Sequence, residues 1–460
     1  MRQLIFLAMF LPFVSMGQST RQDSAQVFTY EEYMEVVMQH HPMAFQAKLK
    51  LESGDAYLQK GRGGFDPKLE GNANQKYYDG KQYYSYLHGG LKIPTWFGVE
   101  LMAGYDNNVG YRLNDESYTP DLGLWNAGIS VNLGQGMFID QRRADLKQAK
   151  LMQQNTVQEQ KLMLNELKLQ ASQAYYDWYK AYEKQNLLAN NLSLVELRLL
   201  NLRESVKYGD IPAVDTLKAS IQVQDRLLKF MEANLDLTNK RIWLNTYLWQ
   251  DGFLPLEMDS TLVPQLSAVS TPPLIDVDAT VDSHPEILLF QNDIRGVMID
   301  TRMKREALKP QLQVKYNALG DQTGNGIVQD YTLSNYKWGA TFAYPIFTRK
   351  ERASVKLNEI KLETQESKLV LKKTQLSYKI QSVQNALNNA ITQISVQERA
   401  VQMYQVLLDA EQNLFNAGES SQFLINTRDQ NLLAARIKLI ELYYTRNMLQ
   451  AQLDYVRCNI

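Results

Sequence analysis

The fold of this chain is decided by the stretch Leu164–Val206, which reads LNELKLQASQAYYDWYKAYEKQNLLANNLSLVELRLLNLRESV. Apolar residues recur in it at alternating steps of three and four, with one polar exception at Gln185, and we call these the seam positions. They are Leu164, Leu167, Ala171, Ala174, Trp178, Ala181, Gln185, Leu188, Leu192, Val195, Leu199, Leu202 and Val206. This spacing places one narrow apolar seam along a single helix and is typical of coiled-coil packing. Because no proline or glycine interrupts Asp140–Tyr208, we expect a rod about 100 Å long, which needs other long helices beside it.

The same pattern occurs a second time at one constant offset, which brings Gly209 onto Gly418. The second seam consists of Leu376, Ile380, Val383, Leu387, Ala390, Ile394, Gln397, Val401, Tyr404, Leu408, Glu411 and Phe415. The segment that leads into the first rod, Gly136-Met137-Phe138, falls on Pro345-Ile346-Phe347. A single offset that holds without insertion indicates an internal duplication, and the shared end signals argue against a chance match of leucine-rich helices.

Composition and charge exclude several classes of function. The 460 residues contain 49 Lys and Arg against 50 Asp and Glu, a balance that gives no reason to expect a nucleic-acid partner. Cys458 is the single cysteine, so it forms no internal disulfide. The four histidines, at positions 40, 41, 88 and 284, show no metal-ligand spacing. Phosphate loops, nucleophile elbows and dinucleotide fingerprints are missing too, so we expect no enzyme, no cofactor and no metal.

The first residues, Met1–Gly17, are interpreted as a secretory signal. Arg2 supplies the positive end, Leu4–Val14 the apolar core, and Ser15-Met16-Gly17 a small-x-small cleavage site. The core is too short to span a bilayer, and no later segment offers the roughly 18 apolar residues that a spanning helix needs. The sequence therefore predicts an exported protein that can enter a membrane only as a closed β-barrel.

Two regions, 67–135 and 310–345, change from helical periodicity to alternation. The first has the pattern of two hairpins and the second of one, with strands of about ten residues. Aromatic side chains cluster there, namely Tyr77, Tyr78, Tyr83, Tyr84, Tyr86, Trp96 and Phe97. These features are typical of outer-membrane barrel strands with aromatic girdles. The alternative is a soluble β-subdomain with ordinary aromatic packing.

We predict a signal peptide at 1–17, a first repeat at 18–250, a linker at 251–275 and a second repeat at 276–460. The predicted helices are 29–61, 140–208 and 212–249 in the first repeat, and 276–308, 348–417 and 420–457 in the second. Pro42 is expected at a break or a helix restart, Asp210 as a helix cap, and Pro212 inside the following first turn. Each opening helix and closing helix together match one rod in length, which predicts four helical columns of equal height.

These features together resemble the TolC-like outer-membrane efflux protein family, over essentially the whole mature chain. The resemblance rests on the duplication, the His-Pro pairs at Pro42 and Pro285, the segment Tyr344-Pro345-Ile346-Phe347, and the glycine turns after both rods. It implies an α+β membrane protein in which long antiparallel coiled-coil helices form an α-barrel. It also implies that the β-hairpins form part of a trimeric outer-membrane β-barrel.

The resemblance further implies a passive conduit in a tripartite efflux or secretion system. The implied partners are two further copies of the chain in a homotrimer, outer-membrane lipid, a periplasmic adaptor (membrane fusion) protein and an inner-membrane pump, for which the resistance-nodulation-division type is one candidate. The sequence departs from the family pattern in two places. The family norm is one hairpin per repeat, whereas the first β region is long enough for two. The first rod also lacks the usual proline at its start.

A conduit performs no bond chemistry, so the candidate functional residues lie at the helix tips. We expect Gly209 and Gly418 to reverse the chain between antiparallel helices. Residues beside them are candidates for adaptor docking, with plain capping as the alternative: Asp210, Ile211, Glu419, Ser420 and Ser421.

Asp215 matches the place of an acidic residue that narrows the pore entrance in the family. Three copies of this side chain would form an anionic ring near the tunnel mouth. The second repeat has Leu424 at the corresponding position, so it supports only one ring. The alternative for Asp215 is a solvated first-turn acid that the helix dipole stabilises.

A different class of function is also compatible with the sequence, namely a soluble periplasmic coiled-coil structural or adaptor protein. The aromatic-rich β regions at one end of rods of equal length favour the channel.

Overall fold

The computed structural model describes residues 26–209, 212–259, 261–266, 276–321 and 334–459. The predicted signal peptide, 1–17, and the tip residues Asp210 and Ile211 lie outside these ranges.

Two very long helices and several shorter ones make up most of the chain. The helices are α1 (Tyr30–His40), α2 (Pro42–Arg62), α3 (Gln141–Lys207), α4 (Ala213–Asn245), α5 (Val277–Ser283), α6 (Pro285–Glu306), α7 (Arg349–Asn416) and α8 (Gln422–Arg457). The strands are β1 (Val27–Thr29), β2 (Lys68–Tyr78), β3 (Lys81–Pro94), β4 (Val99–Val109), β5 (Leu124–Asn132), β6 (Trp249–Gln250), β7 (Leu254–Pro255), β8 (Val263–Gln265), β9 (Gln311–Asp321) and β10 (Tyr336–Ala343). The expected fold, a duplicated unit of long antiparallel helices with β-hairpins, is confirmed.

The two rods, α3 and α7, contain 67 and 68 residues. Most of their predicted seam positions are buried. In α3 the buried seam residues are Leu167, Ala171, Ala174, Trp178, Ala181, Leu188, Leu192, Val195, Leu199 and Leu202. In α7 they are Leu376, Ile380, Leu387, Ala390, Ile394, Leu408 and Glu411. Because α3 has helices on both sides, it also buries residues outside the seam, among them Tyr175, Asp177 and Asn191.

The helices lie side by side in one layer. In the half next to the strands the order is α2, α3, α6, α7, and in the half next to the tips it is α4, α3, α8, α7. Small residues allow α2 to approach α3 closely: a Cβ on Gly54 would stand 2.2 Å from Oγ1 of Thr156. The two helix orders show that the shorter helices stack end to end along the rods, α2 with α4 and α6 with α8. In the half next to the tips, α4 and α7 form the two outer edges.

The opening helix of each repeat is broken at a histidine. The break expected at Pro42 within 29–61 is confirmed: the chain leaves helical geometry at His41, and it does so again at His284 in the corresponding place of 276–308. In each case Nδ1 of the histidine accepts a hydrogen bond from the backbone amide two residues on, that of Met43 (3.1 Å) or Glu286 (3.2 Å). The following proline takes the first helical position, because it lacks the amide that would otherwise need a partner.

This cap predicts that the stability of the opening helices depends on pH. Burial lowers the pKa of both histidines from its ordinary value of 6.5, and Lys372 and Lys379 oppose protonation of His284 while Glu286 favours it. A lowered pKa means that the unfolded chain binds protons more readily than the folded chain. The contribution of the two neutral histidines to stability is therefore fully present above pH 6.5 and is lost as the pH drops below it. Protonation also removes the Nδ1 acceptor. We expect the midpoint of thermal unfolding to drop between about pH 7.5 and pH 5.

The matched control is the double variant His41→Asn/His284→Asn, which keeps an N-cap acceptor but cannot titrate. Its unfolding midpoint should depend distinctly less on pH over the same interval. An equal dependence in both proteins would assign the acid sensitivity to other groups.

The β regions form one antiparallel sheet in the order β10-β9-β5-β4-β3-β2. The first repeat contributes two hairpins and the second one. Between β9 and β10, residues 322–333 of the predicted β region 310–345 lie outside the described ranges.

Three further corrections concern the ends of helices and the linker. Pro212 precedes α4 as its cap instead of lying in its first turn, and Ser421 precedes α8 without a side-chain hydrogen bond. The linker, 251–275, contains strands that were not predicted: β8 pairs in parallel with β1, and β7 pairs with β6. These strands are only two or three residues long, so their sequence carries no periodicity, and distant partners alone determine them.

Candidate functional site

Each rod ends in a turn built on one glycine. Gly209 and Gly418 have φ angles of +78° and +79°. The amide of Gly418 donates to the carbonyl of Phe415 at 3.0 Å, and the amide of Glu419 donates to that of Leu414 at 2.9 Å. These are the two bonds of a Schellman motif, which needs a residue that tolerates positive φ. Both glycines therefore have the chain-reversing position that the sequence suggested.

The second tip contains an internal polar bridge. The hydroxyl of Ser420 donates to Oε1 of Glu411, and Nε of Arg428 donates to Oε2 of the same carboxylate at 3.3 Å. Glu411 is a seam residue of α7 and is buried. Among the predicted docking residues, Ser420 is thus engaged within the chain, whereas Glu419 and Ser421 are exposed.

Asp215 lies in the first turn of α4, near the first tip. Its carboxylate is 3.0 Å from Nζ of Lys218, one turn along the same helix. The Asp215 side chain is 24% exposed and that of Lys218 is 57% exposed. Such a solvated ion pair contributes little to stability, so the fold does not depend on Asp215. Its counterpart in the second repeat, Leu424, is partly exposed at the start of α8.

A buried charge cluster is formed by Asn191 of α3, Arg226 of α4 and Asp429 of α8. It connects the helical hairpin α3–α4 with the helical hairpin α7–α8 in the half of the layer next to the tips. Nη2 of Arg226 lies 3.3 Å from Oδ2 of Asp429, and the amide of Asn191 lies 3.3 Å from Oδ1. The side chains of Arg226 and Asp429 are only 3% and 6% exposed. Sequence reasoning missed this cluster. The available signal was a charged residue at a seam position in α4, between Val223 and Ala233, and another in α8, between Ile425 and Leu432.

The six-stranded sheet has two chemically different faces. Directly paired residues share a face, so the register separates the side chains into two sets. The apolar face carries Leu69, Leu87, Leu91, Leu101, Ala103, Ile129, Val131, Val314, Trp338 and Phe342. The polar face carries Lys68, Glu70, Asn72, Asn74, Lys92, Asp106, Asn126, Lys315, Asn317 and Lys337. Large apolar side chains are exposed on the first face, Leu69 at 87% and Phe342 at 67%.

Side chains on the polar face form hydrogen bonds across the strands. Nδ1 of His88 lies 2.6 Å from Oδ1 of Asp106, and the amide of Asn126 donates to the other oxygen of that carboxylate at 3.0 Å. Nζ of Lys92 lies 2.5 Å from the carboxylate of Glu70. This face is therefore suited to water, and the opposite face to an apolar medium.

Both edges of the helical layer expose apolar side chains at coiled-coil spacing. On α4 these side chains are 52–62% exposed: Val214, Leu217, Ile221, Leu228, Met231, Leu235 and Ile242. On α7 they are 53–67% exposed: Val370, Leu371, Tyr378, Val396, Met403 and Val406. Exposed apolar stripes of this length mark sites of interaction with another protein or with a membrane.

Within the described ranges, the helices are all too polar or too short in their apolar runs to cross a bilayer. In the same ranges, no three His, Cys, Asp or Glu side chains converge as a metal site would require.

Comparisons with known proteins agree with this architecture. Residues 298–455 match the family model described as Outer membrane efflux protein. The solved outer-membrane channel OprN superposes with a TM-score of 0.70 at 11% identity, covering 94% of this chain and 90% of that one. MtrE of Neisseria gonorrhoeae, in its open state, gives 0.66 at 13% identity, covering 93% and 88%. VceC of Vibrio cholerae gives 0.65 at 13% identity, covering 93% and 95%. No curated protein sequence matches the chain.

The structural likeness shows the fold over nearly the whole chain, and the family model adds a sequence match within the second repeat. The resemblance to TolC-like outer-membrane efflux proteins is therefore confirmed.

Proposed function

We propose that this chain is the outer-membrane channel of a tripartite efflux or secretion system and acts as a passive conduit. In this assignment the six-stranded sheet lies in the outer membrane and the helices extend into the periplasm. The observation that carries the proposal is the two-faced sheet. Its exposed apolar face suits lipid, and its hydrogen-bonded polar face suits a water-filled bore.

The proposed assembly is a homotrimer. The α4 and α7 edges of one chain are both apolar but differ from each other, and the sheet ends in two different strands, β2 and β10. A contact between unlike edges repeats around an axis and closes into a ring. The number three comes from the family resemblance, and the free edges explain why a single chain cannot form a closed wall.

The proposed partners are a periplasmic adaptor and an inner-membrane pump, for which the resistance-nodulation-division type is one candidate. The exposed tip residues Glu419 and Ser421 are the adaptor surface in this proposal, together with Asp210 and Ile211. Glu411 and Arg428 support this surface from behind, because they hold Ser420 against the end of the rod.

Cell fractionation and planar-bilayer recording test the proposal. The full-length protein should sediment with outer membranes, need detergent for extraction, migrate as a trimer and form ion-conducting pores. A protein that stays in the soluble periplasmic fraction as a monomer would instead support a coiled-coil structural or adaptor role.

We further propose that Asp215 narrows the tunnel mouth as an anionic ring. Its side chain belongs to a solvated ion pair, so replacing it should leave the fold intact. We expect Asp215→Ala to raise single-channel conductance in planar bilayers by about twofold, because three charged side chains leave the narrowest ring.

The matched control for Asp215→Ala is Lys218→Ala, which removes the partner of the ion pair but keeps the carboxylate. Its conductance should not rise. Unchanged conductance in Asp215→Ala, or an equal rise in both variants, would rule out the gating role and leave Asp215 as an ordinary first-turn acid.

A further inference from the structure

We infer that all six strands of the large described sheet, β10-β9-β5-β4-β3-β2, belong to the membrane wall, so that a trimer closes a barrel of eighteen strands. One hairpin per repeat, the pattern implied by the family resemblance, would give twelve strands. The inference rests on the proposed function, and it concerns the hairpin β2–β3, which is the additional hairpin of the first repeat.

The β2–β3 hairpin is bonded into the sheet as extensively as any other part. The register between β3 and β4 extends from Ser85 opposite Val109 to Pro94 opposite Glu100 and contains ten pairs. The β4–β5 register contains eight pairs and the β5–β9 register nine. A hairpin that folded away as a plug or a surface flap would not share a full-length ladder with its neighbour.

The two faces of the sheet also continue in phase through this hairpin. One row of paired residues crosses all six strands on the apolar face: Leu69, Leu91, Ala103, Ala127, Ala318 and Tyr336. On the polar face, Asn74 of β2 pairs with Tyr86, which pairs with Asn108 of β4. If β2 or β3 were shifted by one residue relative to its neighbour, its side chains would exchange the apolar face for the polar face. The side chains of β2 and β3 therefore meet the same two environments as the other four strands.

The width of the six-stranded sheet matches the width of the helical layer. Six strands spaced 4.8 Å apart and tilted by about 40° occupy roughly 38 Å of a barrel circumference. Four helices at an axis separation of 8–10 Å occupy about 36 Å. Four strands at the same tilt would cover about 25 Å, so a wall of four strands per chain would have to be more strongly tilted, or narrower than the helical layer. Because both widths are taken per chain, the comparison does not depend on the number of copies.

An even number of strands lets the copies join in the antiparallel manner. In the described sheet β2 and β10 are the outermost strands and run in opposite directions. Lys68 begins β2 and Ala343 ends β10, both next to the helical layer. The edge of β2 in one copy can thus pair with the edge of β10 in the next, which satisfies the edge groups of both strands. Eighteen strands give a backbone diameter of about 36 Å, in the range of barrels that hold an aqueous channel.

This width determines where along the channel the size of the solute is limited. An eighteen-stranded barrel is about half as wide again as a twelve-stranded one. The barrel is then no narrower than the helical tunnel, so the size of the exported solute is limited at the helix tips.

Cysteine crosslinking in the full-length chain locates the joint between copies. In a Cys458→Ser background, Asn74→Cys is combined with Lys337→Cys, which places one thiol on the polar face of each edge strand. The matched control combines Asn108→Cys with Lys337→Cys, since Asn108 lies in the same row as Asn74 but on β4. A short bifunctional maleimide should convert the first variant into covalent trimers on denaturing gels and leave the control monomeric.

Crosslinking of the control pair instead of the first would overturn the inference in favour of a four-stranded contribution. Failure of both pairs in trimers extracted from outer membranes would overturn it as well. A chain that fractionates as a soluble monomer is recognised before crosslinking and contradicts the proposed function itself.

A second measurement does not depend on the pairing across the joint. Ala73→Cys places a thiol on the apolar face in the middle of β2, whereas Asn74→Cys places the next one on the polar face. In intact outer membranes a water-soluble maleimide should label position 73 about tenfold more slowly than position 74, because a thiolate does not form in hydrocarbon. Equal rates would place β2 outside the wall.

Discussion

Replacing Asp429 by alanine is expected to lower the free energy of unfolding of the helical layer by about 3–5 kcal/mol. Asp429 is buried and accepts hydrogen bonds from Asn191 and Arg226. Its removal leaves the guanidinium of Arg226 without its counter-charge in a site that water does not reach. The loss of a partner from a buried pair costs far more than the pair itself contributes. Denaturant unfolding of the purified protein, followed by circular dichroism, measures the effect.

The control for this experiment removes both charges at once. The double variant Arg226→Met/Asp429→Leu fills the same space with apolar side chains and should unfold within about 1 kcal/mol of the parent protein. If Asp429→Ala itself stayed within that margin, the cluster would be hydrated in solution and would not join the two hairpins as described.

Truncation of Trp178 to alanine should have an effect of similar size, about 3–5 kcal/mol. Trp178 is a seam residue of α3 and is fully buried. It meets Tyr175 edge-to-face with ring centroids 5.6 Å apart. Tyr175 in turn donates to the carbonyl of Phe28 at 2.7 Å and accepts from the amide of Gln265 at 3.2 Å. The cavity should therefore also loosen the β1–β8 pair, which hydrogen exchange at the amides of Val263 and Gln265 would detect.

Trp178→Phe is the matched control. The indole Nε1 of Trp178 has no acceptor among the described residues, so phenylalanine loses volume but no hydrogen bond. Its cost should be well under half that of alanine. Equal losses in the two variants would mean that shape, and not buried aromatic area, determines stability at this position.

Much of the helical architecture is predictable because its signals are local. The spacing of three and four predicts one packed stripe on each rod, and the seam residues of α3 from Leu167 to Leu202 are buried except for Gln185. The two glycines at the tips are predictable for a similar reason, since positive φ is costly for any residue with a Cβ. The breaks at His41 and His284 were predictable only in part. Proline indicated an interruption, but no local signal showed that a histidine side chain would serve as the N-cap in place of Ser, Thr, Asp or Asn.

The candidate site was less predictable than the fold. Asp215 and the tip residues follow from the family resemblance, and their roles stay predictions. The buried cluster of Arg226 and Asp429 was missed because a charged residue on a helix looks solvated until its neighbours are known. The two residues come from different repeats and meet only when α4 and α8 are both placed against α3.

The sequence by itself determined the duplication, the length of the rods and their seams, because periodicity and breaker residues act within a few turns of the chain. Only the tertiary structure decided that the two β regions merge into one six-stranded sheet with an apolar and a polar face. The reason is physical: alternation tells which residues of a strand share a side, but the pairing of β5 with β9 joins positions nearly two hundred residues apart. Such a register is set by partners and not by local pattern.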